Sequence, residues 1–367
     1  MATAHQVLLS ELDPELEAIP DYPAVFLLWA ASGQPYLAKT TYLRRRLRRL
    51  LAHSDRLSRV LRLAGIAERL EFWPVGSPLE AMLVHLALAR QHFPDEWQKV
   101  TRLKSPAFLR LVTDNAFPRT MVTTRLGKGL FVGPFASRAA AERYTNEALD
   151  LFQIRRCEEN LEPSPQHPGC IYGEMNKCLR PCQAVVTREE YANETQRFEQ
   201  FLRTSGTSLL EPAEIARDRA STEMQFEDAE RWHQRVTRIR EAAAAAGDLA
   251  RPLEQLAGAA ICASSAPQTI ELFLFSGGRW LKPRRLLLAD TVDAGQSMDR
   301  RLRELLVDIE NAPAADMAHL AILARWYGAS WRDGEWIGFE ELDKLPYRKI
   351  VNAIARVAAA HATVEKA

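Results

Sequence analysis

Residues 77–93, SPLEAMLVHLALARQHF, restrict the fold of this chain more than any other stretch. They read as a helix that is apolar nearly all round. Such a helix has no face to give to water, so it must be covered on more than one side. The segments before it supply covering layers. Residues 23–29, PAVFLLW, read as a buried strand, SGQ at 32–34 as a turn, and PYLA from 35 as the second arm of a hairpin. Residues 42–51 read as a helix with Leu43, Leu47, Leu50 and Leu51 on one apolar face. ERLEFWPV at 68–75 is a third strand, so the order is β–β–α–β–α.

The rest of the 367 residues suits an α/β (α+β) protein with more than one core. Residues 1–20 are expected as a short helix, 99–150 as short strands and a final helix, and 187–204 and about 211–244 as two further helices. The alanine-rich stretch 242–252 is expected as a linker. Beyond it, TIELFLFSGGRWLKP reads as a hairpin turned by Gly277–Gly278, followed by a charged helix (298–309), more strand and a terminal helix (344–361). The divisions expected are 18–98, 99–186 with a cysteine-rich segment, 187–246 and 255–367. The N-terminus carries acids and no basic flank before its short apolar stretch, unlike a signal peptide, and no run of about 18 apolar residues suggests a membrane span. The expectation is a cytoplasmic, reduced protein whose five cysteines are poor disulfide candidates.

The net charge is only +1, so any nucleic-acid surface must come from local clustering. The candidate cluster is Arg44, Arg45, Arg46, Arg48 and Arg49. With the leucines inward, Arg45, Arg48 and Arg49 point mostly to solvent, and Arg46 lies at the edge of the apolar seam, leaning over the end of the hairpin. This face suits phosphate contacts, each weakened by salt, or is simply a solvated charged surface.

These residues carry a resemblance. Pro23-Ala24-Val25-Phe26, then Tyr36-Leu37-Ala38-Lys39-Thr40-Thr41-Tyr42-Leu43-Arg44-Arg45-Arg46-Leu47, resembles P-G-V-Y and Y-[IV]-G-K-A-x-x-L-[RK]-x-R-L of the GIY-YIG nuclease domain that opens UvrC, the incision subunit of bacterial nucleotide excision repair. The resemblance covers roughly residues 15–290. It implies metal-assisted hydrolysis in which a helical glutamate binds a divalent cation while tyrosines and an arginine position nucleophile and phosphate. By position, Tyr36, Lys39 and Arg46 match the family's residues. Phe26 replaces the first tyrosine, and Ala24 and Ala38 replace both motif glycines. The family's E-A-x-x-L-E is here Glu80-Ala81-Met82-Leu83-Val84-His85, so His85 takes the metal position. Imidazole is a poor ligand for a hard cation such as magnesium. Glu80 lies about 140° round the helix and is not placed to stand in. His85 is either a histidine satisfied in a mostly buried helix, a ligand for manganese or zinc, or a base.

Cys157, Cys170, Cys178 and Cys182 fall within twenty-six residues. By spacing alone, zinc, an iron–sulfur cluster and buried thiols compete. CLRPCQAVVTREEY is similar to the family's C-[SA]-x-P-C-x-x-x-[IV]-[ST]-x-E-x-Y, and the resemblance implies a 4Fe–4S cluster that holds an irregular segment near DNA. Cys262 reads as a small core residue. Leu130–Phe135 is like the family's Y-F-G-P-Y turn. Met224–Trp232, MQFEDAERW, is similar to the UVR motif, which implies a helical hairpin docking on UvrB. Phe226 would be its apolar anchor, with Glu227, Arg231 and Arg235 on the rim beside Trp232. After the hairpin beyond 258 the likeness fades. The remaining length is too short for the RNase H-like nuclease and helix-hairpin-helix module of full-length UvrC. Residues 324–332, ARWYGASWR, interleave aromatics with arginines, and are expected as a strand packing its tryptophans.

The expected function is therefore a UvrC-like repair protein that binds double-stranded DNA and a UvrB-like partner, with its first nuclease site inactive. One alternative is a working endonuclease with Tyr36, Arg46 and an altered metal site at His85. The other is a protein-binding adaptor that does not touch DNA.

Overall fold

The computed structural model describes residues 5–8, 18–51, 63, 65–288, 297–307 and 314–364. Strands β1 (His5–Leu8), β2 (Ala24–Ala30), β3 (Tyr36–Thr40) and β4 (Ala67–Pro74) form a sheet in the order β1-β4-β2-β3. The N-terminal segment was expected as helix, but His5–Leu8 lie as a strand against β4, from His5 opposite Phe72 to Leu8 opposite Arg69. The edge of β4 offers HQVL backbone partners that local sequence does not reveal. Residues 9–17 lie outside those described.

Helix α1 (Leu43–Leu51) buries Leu43, Leu47, Leu50 and Leu51 against Phe26, Leu28, Leu70 and Phe72. Helix α2 (Pro78–His92) covers the opposite face, packing Val84 and Leu88 on Val25, Leu27 and Trp73. Alternation along β2 therefore sends Phe26 and Leu28 to α1, and Val25 and Leu27 to α2. Ser77 caps α2 by accepting the Glu80 N–H at 3.1 Å, and Pro78 sits where a missing donor costs nothing.

After the short helix α3 (Trp97–Thr101) comes a second sheet of β5 (Ala107–Val112), β6 (Arg119–Thr123), β7 (Leu130–Phe135) and the late strand β8 (Arg251–Pro252), in the order β6-β5-β7-β8. Residues 130–135, expected as a turn, are the fully buried strand β7. Helix α4 (Arg138–Leu149) packs on this sheet. Helix α5 (Arg188–Arg203) opens on a reciprocal cap between Thr187 and Glu190. The span expected as one helix over 211–244 is two, α6 (Thr207–Thr222) and α7 (Phe226–Ala244). Met224 takes a left-handed φ of 59°, and the chain reverses there without glycine or proline to signal it. The expected linker 242–252 ends in the late strand β8 (Arg251–Pro252), which pairs with β7.

The third sheet holds β9 (Ala257–Ala263), β10 (Thr269–Ser276), β11 (Arg279–Trp280), β12 (Arg284–Leu287) and β13 (Glu335–Phe339), with β10 and β9 central. Gly277 and Gly278, at φ 57° and 77°, make the left-handed two-residue turn that suits strand twist. Helix α8 (Met298–Leu305) matches the start of the expected charged helix, and residues 308–310 lie outside those described. Helix α9 (Met317–Tyr327) corrects the expected strand at 324–332. Asp316 caps it, and fully buried Trp326 lies 6.4 Å from the rings of both Trp280 and Trp336. Helix α10 (Tyr347–Val364) packs Ile350, Ala353 and Ile354 on the outer face of the third sheet. Among the described residues no helix is long and apolar enough to cross a membrane.

The remaining side of α2 meets this third sheet. Leu79, Met82 and Leu86 join a cluster with Ala260, Cys262, Phe273, Phe275 and Leu323. Polar groups pin both ends. Arg90 donates to both carboxylate oxygens of Asp316, at 2.7 and 2.9 Å. Burial alone would raise the Asp316 pKa, but Arg90 pulls it down to about 2. At the other end Gly76 passes so close to the turn after β9 that a Cβ would lie 2.2–2.5 Å from its backbone. The Gly76 N–H donates to Glu80 at 2.7 Å, and Arg285 bonds Glu271 at 2.6 Å and reaches Glu80 at 3.9 Å.

Burial, with Glu271 close by, pushes the Glu80 carboxyl up to about 7 from an ordinary 4.5. Between those values the folded chain holds a proton that the unfolded chain has lost. Glu80 therefore makes stability fall as pH rises from about 4.5 to about 7. Glu80→Gln keeps the acceptor for Gly76 and removes the titration. The variant is expected to gain stability over wild type at pH 8 but not at pH 4, read from urea midpoints; an equal change at both pH values would refute this.

Candidate nucleic-acid interface

The arginine helix stands as its leucines dictate. Arg45, Arg48 and Arg49 are exposed, and Arg44 and Arg46 are half-buried. Arg45 is already engaged: its Nε donates to Asp21 at 2.6 Å, and its guanidinium stacks 4.3 Å from the Tyr42 ring. Arg46 leans over the hairpin as helix geometry anticipates, donating from Nη2 to the Tyr36 hydroxyl at 3.1 Å. Phe26 holds the space beside that hydroxyl, its ring 6.1 Å from that of Tyr36.

Lys39 and His85 form a second pair. Strand alternation puts Tyr36 on the α1 side of β3 and Lys39 on the α2 side. The candidate residues thus come together as Tyr36 with Arg46 and Lys39 with His85, on opposite faces of one edge strand. Burial, then the charge of Lys39, hold His85 down at a pKa of about 4. The imidazole is neutral at physiological pH, and a hard cation would meet one nitrogen donor beside an ammonium group. Among the described residues, no three His, Cys, Asp or Glu side chains are grouped to hold a metal ion. His85 and its neighbours do not fit a magnesium site.

Lys39 has a further neighbour that local sequence could not disclose. Burial, then the charge of Arg325 on α9, lower its pKa. The interleaved aromatic–arginine stretch divides: Trp326 is core, whereas Trp331 is 47% exposed.

The four clustered cysteines share one neighbourhood in a loop that turns through left-handed Asn176, Arg180 and Ala184. Cys178 and Cys182 are buried, Cys157 half-buried and Cys170 exposed. Burial, and then the nearness of Cys157, Cys170 and Cys182, push the Cys178 thiol up to about 11. Nitrogen donors already point at two sulfurs: Arg155 Nη1 to Cys157 at 3.3 Å and the Arg180 N–H to Cys178 at 3.4 Å.

The α6–α7 hairpin is rooted and bare in turn. Val236, Ile239 and Ala242 are buried in the core of the second sheet. At the tip, Met224 and Phe226 are 75% and 72% exposed. Glu227 is exposed, Arg231 pairs with Asp228, and Arg235 lies over the Trp232 ring at 6.0 Å.

Comparison with known proteins gives a consistent answer. Residues 107–201 match the family described as UvrC/Cho excinuclease, middle domain. UvrABC system protein C of Ruminiclostridium cellulolyticum is 23% identical over 314 residues, covering 83% of this chain and 51% of that protein. The same protein of Desulfitobacterium hafniense is 30% identical over 224 residues, 60% of this chain and 36% of its own length. That of Rickettsia bellii is 26% identical over 266 residues, 71% of this chain and 41% of its own. The chain is thus similar in sequence to UvrC proteins and spans about half their length or less. No solved structure matches it.

Proposed function

We propose that this chain is a UvrC-like protein of nucleotide excision repair that holds double-stranded DNA and a UvrB-like partner, with its first nuclease unit unable to cut. The observation that carries the loss of cutting is His85. A neutral imidazole beside Lys39 stands where metal-assisted cleavage needs a carboxylate. The match over 107–201 and the related UvrABC system protein C sequences support the repair role. Exposed Arg48 and Arg49, with Arg44 beside them, support phosphate contact. The alternative, a working nuclease built on Tyr36 and Arg46, has one observation in its favour: their hydrogen bond survives.

Lesion-bearing duplex separates the two. The wild-type chain, with UvrA and UvrB, is expected to bind it in a salt-sensitive way and leave it un-nicked at the first site in magnesium or manganese. Replacing both Arg48 and Arg49 by alanine should reduce the slope of log affinity against log salt by roughly two. Metal-dependent nicking that disappears in Arg46→Ala would overturn this reading in favour of the alternative.

Phe226, bare at the hairpin tip, is the proposed anchor for the partner. Phe226→Ala is expected to weaken UvrB binding by about 2 kcal/mol, roughly thirtyfold, without changing the circular dichroism spectrum. An unchanged dissociation constant would remove the hairpin from the interface.

For Cys157, Cys170, Cys178 and Cys182 we propose a 4Fe–4S cluster with a structural role. The nearness of Cys157, Cys170 and Cys182 to Cys178 supports this reading, together with the likeness of residues 178–191 to the family's cysteine motif. Anaerobically prepared protein should be brown, with visible charge-transfer absorbance that Cys178→Ser abolishes. Colourless protein with one equivalent of zinc would replace the cluster by zinc.

A further inference from the structure

We infer that a cleft between the first sheet and the α9–β13 segment takes an unpaired nucleotide of a DNA strand, with its phosphate at Lys39 and Arg325 and its base on Trp331. This rests on the DNA-binding reading above and adds residues from the far end of the chain to it. The cleft has a volume of about 500 Å³ and is lined by Lys39, Thr41, Arg325, Trp331 and Asp333, among others. That size falls within the roughly 300–1,000 Å³ of small-molecule sites.

The charges define the phosphate end. Lys39 and Arg325 are close enough for one to lower the proton affinity of the other, and among the described residues neither makes an ion pair. Two like charges held together with no carboxylate paired to either raise each other's free energy until an anion joins them. Thr41 lines the same space, and a threonine hydroxyl can donate to such an anion.

The base end is aromatic and acidic. Trp331 is 47% exposed, although three other tryptophans of this region pack on one another. Asp333 also lines the cleft, and its buried Oδ1 has no hydrogen-bond partner among the described residues. Its carboxyl repels phosphate and accepts from amino groups, which suits a base edge rather than a backbone. A base stacked inside a duplex cannot present its face to an indole in a cleft, so the occupant must be unstacked.

The test compares two fluorescein-labelled duplexes of one sequence, fully paired and with a two-nucleotide bulge, by anisotropy. The wild-type chain is expected to bind the bulged duplex roughly tenfold more tightly. Trp331→Ala should erase that preference and leave affinity for the paired duplex unchanged. Arg325→Ala should weaken bulged binding and lower its salt slope by about one. Both side chains are at the surface, and the near-ultraviolet spectrum of Arg325→Ala checks that the fold is kept. Equal binding of the two duplexes by wild type, or a preference that survives Trp331→Ala, would overturn the inference while DNA binding stands. Failure of wild type to bind either duplex would overturn the DNA-binding reading and this inference together.

Discussion

Helix α2 has no side to spare for water, and the molecule is arranged round that fact. Val84 and Leu88 lie on the first sheet, whereas Leu79, Met82 and Leu86 lie on the third. Removing any of these from its core costs on the order of 2–5 kcal/mol, so the two sheets cannot separate without exposing the helix. Ionic groups at its ends set the register. Glu80 meets Arg285 and Glu271 of the third sheet at one end, and Arg90 grips Asp316 at the head of α9 at the other. Apolar contact supplies the adhesion, and these directional bonds decide where α9 comes to rest. Arg325, near the end of α9, is placed beside Lys39 as a result.

That placement changes the chemistry of the site. In the nuclease family that the sequence resembles, a helical carboxylate gathers a cation that then stabilises a phosphoryl group. Here the helix offers His85, on which the positive charge of Lys39 acts, as that of Arg325 acts on Lys39. Positive potential depresses protonation of an imidazole and repels a divalent cation, yet attracts phosphate directly. On the proposed reading, a histidine in place of a carboxylate leaves a site that would meet phosphate with protein cations alone. A site of that kind, as proposed here, would hold a strand without activating water against it. Tyr36 and Arg46, on the other face of β3, keep their mutual bond because it depends only on α1 and the hairpin.

Features fixed by local spacing were legible in the sequence. The leucine stripe of α1, the lean of Arg46 over the hairpin and the double-glycine turn all follow from periodicities of a few residues. What escaped was tertiary. His5–Leu8 become a strand because β4 has a free edge. The reversal at Met224 lacks glycine and proline, and only the packing of α6 against α7 reveals it. The alanine stretch ends in β8 because β7 needs a partner. Arg45 looked like a free cation until Asp21 came beside it, and Trp331 looked like core until α9 claimed Trp326 instead.

The second sheet bears the remaining parts and relates them to the cleft side of the molecule. One of its faces receives α4 together with the buried roots of α5, α6 and α7. The other presents Phe108 and Phe131, which enter the cluster that also holds α2 and α9. The cysteine loop is tied to the same sheet through the fully buried Arg155, which donates to the Phe117 carbonyl at 2.9 Å and to the Cys157 sulfur. On the proposed reading, a partner on the hairpin tip would load helices whose feet stand on one face of this sheet, and a strand in the cleft would load helices that pack on its opposite face. The sheet would then be common to both, with the proposed partner and strand separated by side chains packed across it and the cysteine loop tied to it through Arg155.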